Sequence, residues 1–129
     1  MTDEQAIRQL IDDRVAAMRA RNGRAAVAGL ARDIVAFEVS GPLAAPAAQV
    51  TDAVATQAWL NSFDGPIDVD ITELAVHASG DVGFAHSINA LRGTHKDGTL
   101  LDLRMRSTLG FRKLDGQWKI VHAHTSVPR

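Results

Sequence analysis

The stretch that decides the fold is LDLRMRSTLGFRKLDGQWKIVHAHTSVP, residues 101–128. Two runs of alternating apolar and polar residues flank the dipeptide Asp115-Gly116. This dipeptide is a strong signal for a β-hairpin, because Asp and Gly both accept the positive φ angles that a two-residue turn requires. The stretch therefore predicts two long antiparallel strands joined by a tight turn.

The turn also predicts which residues of the two strands lie opposite each other. Pairing begins with the residues that flank the turn and continues outward along both strands. The expected pairs are Leu114 with Gln117, Lys113 with Trp118, Phe111 with Ile120, Leu109 with His122, Ser107 with His124, and Arg106 with Thr125.

The alternation of side chains gives this hairpin two distinct faces. One face carries His122 and His124 beside mostly apolar side chains, and the other carries Arg106, Thr108 and Thr125. We expect one face to contact the core or a partner subunit and the other to line a solvated cavity. The pattern leaves open which face does which, because a β-bulge would exchange parts of the two.

The composition is that of one globular domain spanning residues 1–129, with 46% hydrophobic and 22% charged residues. A formal net charge of -1 gives no electrostatic reason to expect nucleic acid or an anionic membrane as a partner. Cysteine is absent, which excludes disulfides and thiolate ligands and fits a reducing cytoplasm. The N-terminal residues are acidic where a signal peptide would be basic, and no apolar run reaches membrane length.

Upstream of the hairpin, the patterns predict helices first and strands later. An apolar stripe that includes Ile7, Ile11 and Met18 follows the capping residue Thr2 and indicates the first helix. Further elements are expected at residues 24–31 (helix), 33–40 (strand), 41–50 (loop), 51–63 (helix, capped by Thr51 or Asp52), 67–77 (strand) and 82–92 (strand). Helices on one side of an antiparallel sheet make an α+β domain.

Two segments carry a family resemblance. WKIVHAHTS, residues 118–126, followed by Pro128, resembles the closing strand of SnoaL-like proteins in the nuclear transport factor 2-like (NTF2-like) superfamily. It resembles even more closely the closing strand of the association domain of calcium/calmodulin-dependent protein kinase II. Ala36-Phe37-Glu38, followed by a Pro-containing loop, is similar to the first strand of that association domain.

The resemblance implies a strongly curved antiparallel sheet that forms a cone-like barrel around three helices from the N-terminal half, with a pocket between sheet and helices. Members usually form homodimers through the outer face of the sheet. Some are ketosteroid isomerases, polyketide cyclases or epoxide hydrolases, and others bind without catalysis. We therefore expect a small organic molecule, a carboxylate or carbonyl compound, as the partner, and no cofactor.

Glu38 lies where the steroid isomerases that resemble this chain have their carboxylate base. A carboxylate enclosed in an apolar pocket has a raised pKa, which suits proton abstraction next to a carbonyl. The alternative is a strand-end glutamate that faces water or pairs with an arginine. A standard ketosteroid isomerase is excluded, because those enzymes also bind the enolate with a tyrosine and a protonated aspartate, and this chain contains no tyrosine.

His122 and His124 project the same way from one strand, and two such histidines can ligate a metal when a third ligand is near. His86 or Glu38 could supply that ligand only from the same face. We favour the simpler interpretation, in which both histidines form hydrogen bonds in the core or at a subunit interface, and we expect no metal. His124 remains a candidate acid–base residue and His122 a candidate ligand contact.

Arg106 and Thr108, with Thr125 across the hairpin, form the best polar cluster on the other face. An arginine among small residues leaves room for a ligand and presents a planar fork to a carboxylate. The alternative is an arginine held in an ion pair by Glu38 or Asp102.

His86 and Trp59 complete the candidate ligand-binding residues. His86 belongs to the strand beside the hairpin and is expected to line the same cavity as Arg106, and Trp59 is expected in the core or in the pocket wall. Two functions remain open: an enzyme of the isomerase, cyclase or hydrolase type that uses acid–base chemistry, and a non-catalytic ligand-binding or oligomerisation domain. We favour the enzyme.

Overall fold

The computed structural model describes residues 1–128. Within them, helices and strands follow each other in an order close to the expected one, with the helices in the first half. The elements are α1 (Asp3–Arg19), α2 (Gly23–Val27), β1 (Leu30–Phe37), α3 (Ala47–Val50), α4 (Ala53–Asn61), β2 (Phe63–Ser79), β3 (Val82–His95), β4 (Leu100–Leu114) and β5 (Gln117–Ser126).

The five strands form one curved, open sheet in the order β1-β5-β4-β3-β2. The α+β class and the curved sheet with helices from the first half are confirmed. The sheet is mixed, however, because β1 pairs parallel with β5 while the other three pairs are antiparallel. A parallel pair needs a long crossover connection, and the whole segment from α3 to β4 provides it.

Helix α1 is anchored at both ends. A capping box begins it, in which the Thr2 side chain accepts a hydrogen bond from the Gln5 backbone and Gln5 returns one to the Thr2 backbone. At its C-terminal end, the guanidinium groups of Arg19, in the last turn, and of Arg21, just after it, donate to backbone carbonyls of β2. These contacts hold α1 across the sheet face that carries Phe111, and we call this face the inner face and the opposite one the outer face.

The core consists of two separate apolar clusters on the inner face. The hairpin cluster contains Ile7, Ile11, Leu30, Ile34, Val76, Ala85, Phe111, Trp118 and Ile120. The Phe63 cluster contains Leu60, Phe63, Ile67 and Val69. Helix α1 contacts both, since its first half belongs to the hairpin cluster and its Val15 and Met18 pack against the Phe63 cluster.

The β4–β5 hairpin has the expected turn, with φ angles of 50° at Asp115 and 79° at Gly116. Its register is as expected from Leu114–Gln117 to Phe111–Ile120, and wrong beyond that point because Val121 is an extra residue in β5. Gly110 makes room there, since a Cβ at this position would lie 3.2 Å from the Cβ of His122. The pairs beyond the bulge are His122 with Gly110, Ala123 with Leu109, His124 with Thr108, Thr125 with Ser107, and Ser126 with Arg106.

Several element boundaries differ from those expected. The second helix ends at Val27 rather than residue 31, because Leu30 and Ala31 are buried as the first residues of β1. The 41–50 loop contains the single helical turn α3, and Asp52 caps α4 by accepting hydrogen bonds from the backbone of the first turn. Within residues 1–128, every helix is too short or too polar to cross a lipid bilayer.

Candidate functional site

The outer face carries five of the site residues predicted from the sequence. His86, Thr108 and His124 are cross-strand neighbours in one row of exposed side chains. Arg106, also exposed, and His122 lie in adjacent positions on the same face. His122 and His124 lie on this face because the bulge at Val121 reverses which face the later residues of β5 occupy. The expected grouping of Thr125 with Arg106 and Thr108 is therefore wrong.

The outer-face histidines contact aromatic rings and backbone. Nδ1 of His122 donates a 2.7 Å hydrogen bond to the carbonyl of Val35. The Phe37 ring packs edge-on against both His122 and His124, at centroid distances of 5.2 and 5.5 Å. Within residues 1–128, no three His, Asp or Glu side chains converge in a way that could hold a metal ion.

Arg106 is not bound by either of its expected ion-pair partners. Asp102 pairs instead with Arg92 across the β3–β4 ladder, at 3.2 Å. Glu38 does not lie within ion-pair distance of any basic group in residues 1–128. Glu38 is also exposed to solvent, so the apolar enclosure expected for a carboxylate base is wrong.

The inner face carries a different set of polar side chains, on three neighbouring strands. Ser87 of β3 lies opposite Ser107 of β4, which lies opposite Thr125 of β5. We call these three residues the polar row. Phe37 of β1 pairs in parallel with His124 of β5. The next residue, Glu38, therefore lies beside Thr125, at the end of the polar row nearest to β1.

The polar row separates the two apolar clusters. Along β3, Ala85 belongs to the hairpin cluster and Leu91 packs on the Phe63 cluster, with Ser87 and Asn89 between them. The Ser87 hydroxyl donates to the Asn89 side-chain oxygen at 2.7 Å. Ser107 is only 6% exposed, the one buried polar residue among the described positions. The middle of the inner face is therefore polar and lined by small side chains.

Arg14 lies on the face of α1 that contacts the two apolar clusters. It is partly buried, two turns after Ile7, one turn after Leu10 and Ile11, and one turn before Met18. Burial lowers the pKa of the Arg14 guanidinium. The negative charge of Glu38 acts in the opposite direction, because it favours the charged form of the arginine. No carboxylate of residues 1–128 lies within 4 Å of it.

The side-chain polar atoms of Arg14 and Ser107 reach solvent. Every side-chain nitrogen or oxygen of residues 1–128 that is closed off from solvent has a hydrogen-bond partner. The Arg14 guanidinium and the Ser107 hydroxyl have no partner among these residues, so each borders solvent-accessible space. We use the name inner hollow for the region between α1 and the polar row; its use as a ligand pocket belongs to the function proposed below.

Trp59 and the surface clefts lie apart from the inner hollow. Trp59 is 39% exposed on α4 and packs edge-on against Phe63 at 5.0 Å, as part of the wall of the Phe63 cluster. A cleft of about 190 Å³ lies between α1 and β2, and an open one of about 420 Å³ lies along α2 and α4. Neither contains a site residue predicted from the sequence.

Sequence reasoning thus missed Arg14, Ser87, Asn89 and Ser107. The signal for Arg14 was present, because it falls at the i+7 position of the stripe that starts at Ile7 and therefore on the buried face. The alternation puts Ser107 on the same face of β4 as Phe111, but nothing in the sequence distinguished either serine from a packing residue.

Comparisons with known proteins agree with this architecture. The family model described as a SnoaL-like domain matches residues 7–129. Among solved structures, the chain is similar to an NTF2-like protein of unknown function from Pseudomonas putida KT2440, with 34% identity and a TM-score of 0.81 over 97% of this chain and 86% of that one. A comparison with curated protein sequences gives no significant match.

Two more distant neighbours share the fold. One, from Xanthomonas campestris, is provisionally named a calcium/calmodulin-dependent protein kinase II association domain (21% identity, TM-score 0.78, 99% of this chain and 89% of that one). The other, from Streptomyces avermitilis, is provisionally named a dehydratase of the NTF2-like family (15% identity, TM-score 0.79, 98% and 96%).

Proposed function

The chain belongs to the SnoaL-like family, and from that premise we propose that it is an enzyme that binds a small organic molecule in the inner hollow and acts on it by acid–base chemistry. The polar row between two apolar clusters is the observation that carries this proposal. Binding sites for small molecules combine apolar walls with a few convergent polar groups, and the inner hollow has this composition.

We assign a role to each residue from its position along the polar row. Glu38, at the solvent-exposed end of the polar row, exchanges a proton with the ligand and with water. Ser107 and Thr125 orient a carbonyl or hydroxyl group by hydrogen bonding. His124 projects from the outer face, so we do not assign it the proton transfer.

The reaction belongs to the broad class of isomerisations, cyclisations, hydrolyses and dehydrations. A standard ketosteroid isomerase stays excluded, because the chain has no tyrosine and the polar row offers hydroxyl groups rather than a carboxylic acid. The provisional name of the Streptomyces avermitilis neighbour is in keeping with acid–base chemistry on this fold.

The test uses two adjacent residues of β4 that point to opposite faces. Ser107→Leu fills the inner hollow, whereas Thr108→Leu adds the same bulk on the outer face. In a thermal-shift screen of small carbonyl compounds and carboxylates, we expect compounds that raise the Tm of the wild type and of Thr108→Leu but not of Ser107→Leu. Each shift is measured against the ligand-free Tm of the same variant.

Turnover of a compound identified in this way tests the catalytic role. Glu38→Gln should abolish turnover while the ligand still raises the Tm, since the amide keeps the shape and loses the basic oxygen. Equal turnover in Glu38→Gln would remove the mechanism. Equal Tm shifts in Ser107→Leu would remove the site.

Oligomerisation is a second candidate function, and a separate observation supports it. The outer face exposes apolar side chains on β1 and β3, with Val35 48%, Phe84 49% and Val82 55% exposed. Four of the five histidines flank them, and the ring of His77 stacks on Phe84 at 4.9 Å. Apolar surface of this kind marks interfaces, and we propose a second copy of this chain as the occupant.

Sedimentation of two variants tests the homodimer. Phe84→Glu places a charge in the centre of the outer face, while Val54→Glu places one on α4, where Val54 is 79% exposed. At micromolar concentration we expect dimers for the wild type and Val54→Glu and monomers for Phe84→Glu. A monomeric wild type would contradict the proposal.

A further inference from the structure

We propose that Asn89 is the hydrogen-bond donor that binds a carbonyl oxygen of the ligand, beside the β3 end of the polar row. This inference rests on the proposed function, since it names a residue and a chemical group of the ligand for the same inner hollow. It also gives the ligand a direction, with its carbonyl oxygen toward β3 and the group that loses a proton toward Glu38.

The position of Asn89 on the inner face is the first argument. Asn89 follows Ser87 by two residues on β3, so both side chains project from the same face of the sheet. The residues that flank this pair on the inner face are apolar, and they contact different clusters: Ala85 belongs to the hairpin cluster and Leu91 packs on the Phe63 cluster. The amide of Asn89 therefore lies between the two apolar clusters and next to the polar row.

The hydrogen bond with Ser87 fixes the orientation of this amide. The Ser87 hydroxyl donates to Oδ1 of Asn89 at 2.7 Å. Because Oδ1 accepts from the serine, Nδ2 and its two hydrogens are directed away from the serine oxygen. Ser87 has only one proton to donate, and this bond uses it. Ser87 is therefore a positioning residue, and Asn89 supplies the free donors.

The free donors of Asn89 reach solvent. Nδ2 has no hydrogen-bond partner among residues 1–128, and every side-chain nitrogen or oxygen of these residues that is closed off from solvent has one. The same holds for the hydroxyl of Ser107, the cross-strand neighbour of Ser87. Solvent thus reaches two nearby polar groups in the middle of the inner face. A ligand that binds here replaces this water and must restore its hydrogen bonds.

The hydrogen-bonding character of the row changes from one end to the other. Nδ2 of Asn89 can only donate hydrogen bonds, whereas an ionised carboxylate such as that of Glu38 can only accept them. A carbonyl oxygen has two lone pairs and no proton, so it can accept from Asn89 and from the Ser107 hydroxyl together. The amide and the hydroxyl are uncharged, which suits an uncharged carbonyl compound such as a ketone.

The experiment removes the amide donors in two ways. Asn89→Leu replaces the amide by an apolar group of similar shape, and Asn89→Asp keeps the oxygen that accepts from Ser87 but loses both donors. The matched control is Asn61→Asp on α4. It likewise keeps an accepting oxygen, which is bonded to Nε2 of Gln57 at 2.9 Å, and loses both donors.

The probes are ketones and the hydrocarbons that lack their carbonyl oxygen. Acetophenone is compared with ethylbenzene, propiophenone with propylbenzene, and cyclohexanone with cyclohexane. The Kd of each compound is obtained from the concentration dependence of Tm, relative to the ligand-free Tm of the same variant. For the ketone that binds most tightly, the infrared stretching band of an isotope-labelled carbonyl group reports the hydrogen bond directly.

We expect at least one ketone to bind the wild type and Asn61→Asp equally, and to bind both Asn89 variants about three- to tenfold more weakly, which is the usual effect of one hydrogen bond. The matching hydrocarbon should bind Asn89→Leu at least as tightly as the wild type. The carbonyl band should lie at a lower frequency in the wild type than in Asn89→Leu, because accepting a hydrogen bond weakens the C=O bond. A purely structural role for Asn89 would weaken ketone and hydrocarbon alike and leave the band in place.

The inference is overturned if no ketone binds, if ketones bind both Asn89 variants as tightly as the wild type, if ketone and hydrocarbon lose equally, or if the carbonyl band does not move. The proposed function fails separately. If ketones raise the Tm and Ser107→Leu removes this effect while neither Asn89 variant weakens binding, the inner hollow is a binding site and Asn89 is not its donor. If no compound responds to Ser107→Leu, both proposals fail.

Discussion

Two charged residues of α1 show how strongly surroundings decide what a side chain does. Arg14 is partly buried on the face of α1 that contacts both apolar clusters, and this burial lowers the pKa of its guanidinium. Asp3 lies in the exposed first turn, where it accepts hydrogen bonds from the Trp118 indole at 3.1 Å and from the Lys113 ammonium at 3.4 Å. Asp3 thus ties the start of the first helix to the final hairpin.

Replacing Asp3 should change how the free energy of unfolding depends on pH in the acidic range. The hydrogen bond from Trp118, followed by Lys113, lowers the pKa of Asp3. A carboxyl with a lowered pKa in the folded state stabilises it fully above the unfolded value of about 3.9 and loses this effect as the pH falls through the folded value. We expect Asp3→Asn to be less stable than the wild type at neutral pH, with the difference shrinking below about pH 4.

Urea unfolding at several pH values measures this effect. Glu4→Gln is the control, because it removes a neighbouring carboxylate from the same helical turn without touching Trp118. A constant difference between Asp3→Asn and the wild type down to strongly acidic pH would contradict the prediction.

At the scale of elements, the β4–β5 hairpin combines a regular turn with an irregular strand. The turn sets the pairs near Asp115 and Gly116, and the bulge at Val121 then reverses which face each later residue of β5 occupies. Thr125 thereby reaches the polar row, and His122 and His124 reach the outer face. One extra residue thus decides which side chains can contact a ligand.

The turn glycine gives a prediction at this scale. Gly116 has a φ of 79°, and a Cβ there would meet nothing within 4 Å, so an added methyl group acts on the backbone alone. Gly116→Ala should lower the free energy of unfolding by about 1–2 kcal/mol, because residues with a Cβ disfavour the left-handed region. Chemical denaturation measures the loss, and Asp115→Asn is the matched control, since Asn tolerates a positive φ.

The edge strand β2 is protected from pairing with another sheet. It is 17 residues long, and its pairing with β3 is interrupted twice, near Pro66 and near Glu73, which has a φ of 54°. Asp68 and Asp70 add charge along the strand. Bulges, proline and charges are the usual means of keeping an edge strand from aggregating.

At the scale of the whole molecule, α1 joins two clusters that share no residue. Ile7 and Ile11 belong to the hairpin cluster, and Val15 and Met18 pack on the Phe63 cluster. The helix cannot leave one cluster without leaving the other, so we expect the chain to unfold in a single cooperative transition.

Two core truncations test this coupling. Phe63 and Phe111 are 0% and 1% exposed, and Phe63→Ala and Phe111→Ala should each lower the free energy of unfolding by about 3–5 kcal/mol. Because the two rings belong to different clusters, the losses should add within about 0.5 kcal/mol in the double variant. Calorimetry measures both quantities, and two separate transitions, or losses that do not add, would contradict the prediction.

Much of the fold could be predicted from local patterns. Thr2 and Asp52 begin helices as expected, the turn at Asp115 lies where the dipeptide placed it, and the SnoaL-like resemblance of residues 118–126 is confirmed by the family model. These features depend on neighbours within a few residues. The parallel pairing of β1 with β5 depends on residues about 90 positions apart, and no local pattern indicated it.

The candidate site was harder to predict than the fold. Glu38 and Thr125 lie at the inner hollow, whereas Arg106, Thr108, His86, His122 and His124 lie on the outer face and Trp59 lies beside Phe63. The expected site was assembled on the assumption of an unbroken register in the hairpin. A single bulge, which leaves the apolar pattern of β4 intact, moved Thr125 away from Arg106 and Thr108 and brought His122 and His124 to their face.

The amino-acid sequence by itself determined the class of fold, the position of the final hairpin and the family, because capping residues, turn dipeptides and alternating apolar residues act over a few positions. The tertiary structure alone decided which polar side chains share a space. That choice depends on the register of the strands, on the bulge at Val121 and on which face of the sheet α1 covers. Ser87, Ser107 and Thr125 come together only because strands distant in sequence pair with each other.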